Sequence, residues 1–117
     1  LAGAVQGLLW GGAVRMFFLE HTIWAINSFL HSYGRRDFKT RDESRNSHLF
    51  AFLTFGEAWH NNHHAFPGSA WFSLSLWKFD PAYLFICLLR AVGLAWDVKV
   101  PKPDQIEVKR FVRKAQP

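Results

Sequence analysis

LAGAVQGLLWGGAVRMFFLEHTIWAINSFL, residues 1–30, is apolar apart from Gln6, Arg15, Glu20, His21, Asn27 and a few small polar positions. As a helix it would rise about 45 Å, against a hydrocarbon core of about 30 Å, so it can span a bilayer and still protrude. Its longest charge-free run is only Leu1 to Val14, shorter than the usual ~18-residue signal, and Arg15 is the objection to a span. An intramembrane arginine is costly and faces protein or water, so Arg15 is expected to be paired, snorkelling or turned toward other helices.

Outward from this stretch, GRRDFKTRDESRNS (residues 34–47) is a charge-rich loop, with Gly34 placed to end the first helix. A second helix is expected over 48–66, stopped by Pro67-Gly68. Residues 69–79 read ambiguously. Asp80-Pro81 is an N-cap followed by a first-turn proline and predicts a helix over 80–96, with Gly93 near its end. Too short to span comfortably, that helix reads as interfacial or core-packed, and the basic tail 97–117 is expected to fray. The fold class expected is therefore all-α: an integral-membrane fragment with one long membrane helix (1–33) and shorter cytosolic or interfacial helices.

Composition agrees with this. Half of the 117 residues are hydrophobic and 17% aromatic, which argues against disorder and requires a large apolar burial that lipid supplies as well as a core does. The net charge of +5 is concentrated in Arg35, Arg36, Lys39, Arg41 and Arg45, and in Lys99, Lys102, Lys109, Arg110, Arg113 and Lys114. Both groups flank apolar segments without interleaved aromatics, the pattern of cytoplasmic loops beside a membrane. Cys87 is the single cysteine, so neither an intramolecular disulfide nor a zinc thiolate cluster is available. The chain starts at Leu1, without a Met or a signal-peptide pattern, and is expected to be a piece of a longer protein.

The chemistry must come from histidines and carboxylates. In His60-Asn61-Asn62-His63-His64, the second and third imidazoles follow the first by three and four residues, which on a helix puts all three on one face within reach of one metal or two adjacent ones. Packing alone does not account for three such residues beside Pro67. Asn27 and His31 form an i, i+4 pair at the foot of the first helix; alone, His31 reads as a dipole-compensating residue. Glu57 precedes His60 by three, the Glu-x-x-His pairing of soluble carboxylate-bridged di-iron bundles. With only one such motif here, Glu57 is read instead as a support that hydrogen-bonds a ligand imidazole. His21 reads as a hydrogen-bonded interior residue, His48 as solvated. Trp24, Trp59, Trp71, Trp77 and Trp96 read as headgroup-level anchors or as lining of a lipid-like tunnel.

Four stretches carry a family resemblance: Asn27-Ser-Phe-Leu-His31-Ser-Tyr-Gly34, Arg41-Asp42-Glu43-Ser44-Arg45-Asn46, Gly56-Glu57-Ala-Trp59-His60-Asn-Asn-His63-His64-Ala-Phe66-Pro67, and Gly93-Leu-Ala-Trp96-Asp97. The chain resembles the membrane-bound stearoyl-CoA-type (delta-9-like) fatty acid desaturases, in their bacterial branch, and would be a C-terminal fragment. The resemblance implies a cytosol-facing site of two iron ions held by nine histidines, to which this chain contributes His31, His60, His63 and His64, with Asn27 reaching a metal through water. The two preceding histidine boxes are missing from residues 1–26, so the 117 residues alone should not complete the centre or act alone. It implies O2-dependent insertion of a cis double bond, commonly at the ninth carbon of a saturated acyl chain. The implied partners are an acyl substrate carried on coenzyme A, a carrier protein or a lipid, an electron-donor protein of ferredoxin or cytochrome type, and the membrane. Ligation needs neutral imidazoles and should weaken toward pH ~6.5.

Two other readings compete. A membrane di-iron alkyl or lipid hydroxylase would use the same boxes and yield an alcohol in place of an alkene. A non-catalytic basic domain binding anionic lipid or nucleic acid through Arg35, Arg36, Lys39 and Arg41 would lose affinity steeply with salt and ignore chelators. No aromatic-basic motif supports it, and no nucleic acid is expected as a partner.

Overall fold

The structure, a computed structural model, describes residues 1–110; the end of the basic tail, including Arg113 and Lys114, lies outside the described residues. The described residues are mostly helical, with isolated antiparallel bridges and no strands. Helix α1, Ala2–Ser32, carries a π-helical segment at Leu8–Val14. It is long and apolar enough to cross a membrane. Leu8, Leu9, Trp10, Phe17, Phe18, Ile23 and Trp24 are exposed around it, which suits lipid or further membrane helices, since in water such a surface would have to be covered. Among the described residues only its foot is packed: Leu30 is buried, and Ile26 rests on the same cluster.

Tyr33 ends α1 in an extended conformation and Gly34 follows at φ +125°. A Cβ on Gly34 would stand 2.4 Å from the Asn46 carbonyl oxygen, so only glycine lets the loop fold back this closely. The loop is tied down by Arg45 N–H donating to the Leu30 carbonyl (2.7 Å) and by the reciprocal backbone pair of Arg35 and Asn46 (2.9 and 2.7 Å). Carbonyls left over at the end of α1 are thus partly satisfied by the loop.

The single helix expected over 48–66 is two short ones, α2 at His48–Ala51 and α3 at His60–Ala65, separated by turns. The break comes from Phe55 and Gly56, both left-handed at φ 52° and 99°. Gly56 N–H reaches back to the Ala51 carbonyl (2.9 Å) and the Thr54 hydroxyl accepts from Ala58 N–H (3.0 Å). Trp59, Ala58, Ala51 and Leu30 form the buried cluster under this turn, with Phe50 and Phe72 packed against it. Helix α4, Pro81–Ala91, begins at the foreseen cap: Asp80 accepts from Tyr83 N–H (3.1 Å). It stops before the expected 96, because Gly93 turns left-handed (φ 77°) and Leu94 N–H bonds back to the Leu89 carbonyl (2.8 Å).

The tail is not frayed over 97–110. Helix α5, Pro103–Lys109, is opened by Lys102 N–H donating to the Gln105 side chain (2.9 Å). Lys109 Nζ donates to the Ala65 carbonyl (2.6 Å) and Lys39 N–H to the Lys109 carbonyl (3.1 Å), pinning the tail across the end of α3.

Candidate metal centre

Two elements 29 residues apart meet at the foot of α1. His31, in its last turn, brings Nε2 to 3.2 Å from Nε2 of His60, the first residue of α3. The helical i, i+4 relation then carries His64 to the same spot, its ring 4.4 Å from that of His60 and 5.3 Å from that of His31. One nitrogen from each of these three imidazoles lies within 4.8 Å of the others. His63 sits beside them, 5.7 Å from the His64 ring, and is tilted against Phe72 at 4.6 Å.

Short as α3 is, its orientation is fixed by what lies between the histidines. Asn61 and Asn62 are buried on the opposite side. Asn61 Oδ1 accepts from Asp37 N–H (2.8 Å) and Phe38 N–H (2.7 Å), and its amide donates to the Phe38 carbonyl (3.1 Å). Asn62 donates to the Phe72 (2.7 Å) and Ser73 (3.1 Å) carbonyls. The polar face of α3 thus replaces the backbone partners that two flanking segments lack.

The electrostatics favour neutral imidazoles. Burial, and then the neighbouring His64, His31 and His63, push His60 down to about 4 from 6.5; burial also lowers His63, against the opposing charge of Glu57. Neutral imidazole is the form that ligates a metal. Asp42 is different. Burial pulls its carboxyl up, yet hydrogen bonds from Ser44 and His64 hold it well below the usual carboxylate range. His64 Nδ1 donates to Asp42 Oδ2 at 2.6 Å, leaving Nε2 with its lone pair free.

These residues fit a metal. Among the described residues, His60 Nδ1 and His63 Nδ1 are buried without a hydrogen-bond partner, so two ring nitrogens at the cluster are left for a metal or a further polar group. An all-imidazole donor set suits iron, as it does zinc, copper and nickel.

A cavity of about 570 Å³ opens on the cluster, walled by Leu19, Thr22, Ile23, Ile26, Leu53, Thr54 and Phe55, with Asn27, Glu57, His60, His63 and His64 around it. Asn27 lines the same cavity and donates its amide to the Ile23 carbonyl (3.0 Å). Glu57 lies exposed on the cavity wall; among the described residues it makes no hydrogen bond to an imidazole. Two histidines stand apart: His21 is exposed on α1 among the described residues and bonded to the Phe17 carbonyl (2.8 Å), while exposed His48 packs edge-on to Trp59. Sequence reasoning missed Asp42 as a partner of His64, since its one signal was membership of a charged loop.

The family model for fatty acid desaturases matches residues 1–90. The chain is 50% identical, over 93% of its length, to a hex-5-enoyl-[acyl-carrier protein] acetylenase of Moorena producens. It is 42% identical, over 93%, to the chloroplastic palmitoyl-monogalactosyldiacylglycerol delta-7 desaturase of Arabidopsis thaliana, and 45% identical, over 86%, to an acyl-CoA C20 delta5-desaturase of Anemone leveillei. It covers 34%, 29% and 32% of these three relatives, about a third of each. With a family match over most of its residues, the chain belongs to the fatty acid desaturase family.

Proposed function

We propose that this chain is the part of a bacterial-branch fatty acyl desaturase that supplies His31, His60, His63 and His64 to a di-iron site, with Asn27 reaching a metal through water. Members of the family are membrane-bound oxidoreductases of lipid metabolism, generally di-iron, that act on fatty acyl chains with O2 and an electron donor. The observation that carries the reading is the meeting of His31 with His60 and His64 at one point beside an apolar cavity.

When bound, iron would supply the coupling of dioxygen reduction to removal of two hydrogens from adjacent methylenes; an alkene and two waters leave, and two electrons and two protons enter. The chain's own task is placement. Leu19, Ile23, Ile26, Leu53 and Phe55 offer an apolar wall for methylenes, and holding an unactivated chain there is the positional contribution to the barrier. Glu57, at the cavity edge, biases His63 electrostatically. The basic loop beside the foot of α1 supports a cytoplasmic side for the histidines and a docking side for a ferredoxin- or cytochrome-type donor. The substrate is a saturated acyl chain on coenzyme A, a carrier protein or a lipid, with the ninth carbon as the position first expected.

The relative at 50% identity favours a second outcome at the same site: dehydrogenation of an existing alkene to an alkyne. Expression of the full-length parent in a host lacking the product, with mass spectrometry of fatty acid esters, tests both. His60→Ala, His63→Ala and His64→Ala should each abolish the new unsaturation; unchanged product in all three would sink the reading, and an alcohol would assign the hydroxylase instead.

A further inference from the structure

Asp42 is built into its place from three sides. Its carbonyl accepts from Arg36 (2.8 Å) and from the Thr40 hydroxyl (3.0 Å), and Oδ1 accepts from Ser44 N–H (2.9 Å) in a turn that fixes the side-chain torsion. Oδ2 is what remains, and it receives Nδ1–H of His64 at 2.6 Å. Among the described residues neither His60 nor His63 has such a partner, since their Nδ1 atoms are buried and unbonded. One imidazole of the three is thus held by a carboxylate.

We propose that Asp42 is a positioning residue for metal binding, which locks His64 in the tautomer with Nε2 unprotonated and aims that nitrogen at the point shared with His31 and His60. This rests on the reading of His64 as a ligand. Its physical ground is that a carboxylate accepting Nδ1–H stabilises the positive charge a ligating imidazole takes on, and that loss of such a partner typically costs about 10–100-fold in metal affinity. Neighbouring Glu43 serves as the control: its carboxylate pairs with Arg36 (2.9 Å) and Arg45 (3.4 Å), not with an imidazole.

The test uses the purified full-length parent, stripped of metal, with iron(II) affinity measured by chelator competition and melting of the metal-free protein measured alongside. Asp42→Asn should lower affinity about 10–100-fold, beyond what any change in metal-free melting accounts for, Asp42→Glu should recover part of it, and Glu43→Gln should match the parent. Added to His64→Asn, Asp42→Asn should cost nothing more, because its route to the metal is already gone. Parental affinity in Asp42→Asn, an equal loss in Glu43→Gln, a further loss on top of His64→Asn, or a fall in metal-free melting that accounts for the lost affinity would each overturn the proposal alone. A parent that takes up no iron(II) overturns the ligand reading and this one with it.

Discussion

Asn46 and Asn62 clasp each other: the Asn46 amide donates to Asn62 Oδ1 at 2.7 Å, and Asn46 Oδ1 accepts Asn62 N–H at 3.2 Å. Both residues are almost fully buried. Because Asn46 also pairs through its backbone with Arg35, the clasp transmits the position of the loop that ends α1 directly to α3. The distance between His31 and His60 therefore depends on two side chains that touch no ligand position. Asn62→Ala would orphan the Phe72 and Ser73 carbonyls and leave the Asn46 amide with Asp37 alone, at roughly 2–3 kcal/mol. Chemical unfolding of the parent in detergent should show that loss, together with reduced iron content; an unshifted midpoint would count against the clasp.

Gly56 is the hinge between α2 and α3. At φ 99°, with a Cβ position 2.6 Å from Asp80 Oδ1, it tolerates no side chain, and Asp80 has nowhere to retreat because its oxygens accept from Phe72, Ser73 and Tyr83 N–H. Gly56→Ala is expected to cost about 1–3 kcal/mol in backbone strain alone and to displace the start of α3. Thermal unfolding reads the first effect, and product yield of the full-length enzyme the second.

Much of the site could be read along the chain because helical spacing is local. His60, His63 and His64 needed only one turn of helix to share a face, and α3 provides just that. The foot of α1, its glycine exit and the Asp80 cap were legible for the same reason. The break in the expected 48–66 helix was not, since Phe55 gives no sign of its left-handed backbone and Asp80, which closes on the neighbouring Gly56, lies far along the chain. Asp42 was hidden likewise: a carboxylate among arginines looks solvated until the fold sets it against an imidazole 22 residues away.

Trp59 is the buried keystone beneath the histidines. Only 1% exposed, it donates Nε1–H to the Phe79 carbonyl (2.8 Å), and Lys78 Nζ lies 4.9 Å from its ring centroid. Trp59→Ala should destabilise by about 3–5 kcal/mol through the cavity it leaves. Trp59→Phe keeps most of the apolar contact but strands the Phe79 carbonyl, so a loss of about 1–2 kcal/mol is expected. Denaturant midpoints for the two variants should fall in that order, and equal midpoints would remove the tryptophan from the role given to it.

His60 sets the acid limit of the metal-free protein. Its pKa is about 4 when folded and 6.5 by its ordinary value, so between these limits the unfolded chain takes up a proton that the folded chain refuses. Stability is then fully present above pH ~6.5, declines as pH falls toward ~4, and loses nothing more to this group below that. His63, lowered by burial, adds to the same slope. Melting of the metal-free parent across this range should fall with acidification, and His60→Asn, which cannot be protonated there, should flatten the profile. A variant that keeps the parent's full slope would show that the acid sensitivity resides elsewhere, and that the cluster does not hold His60 neutral.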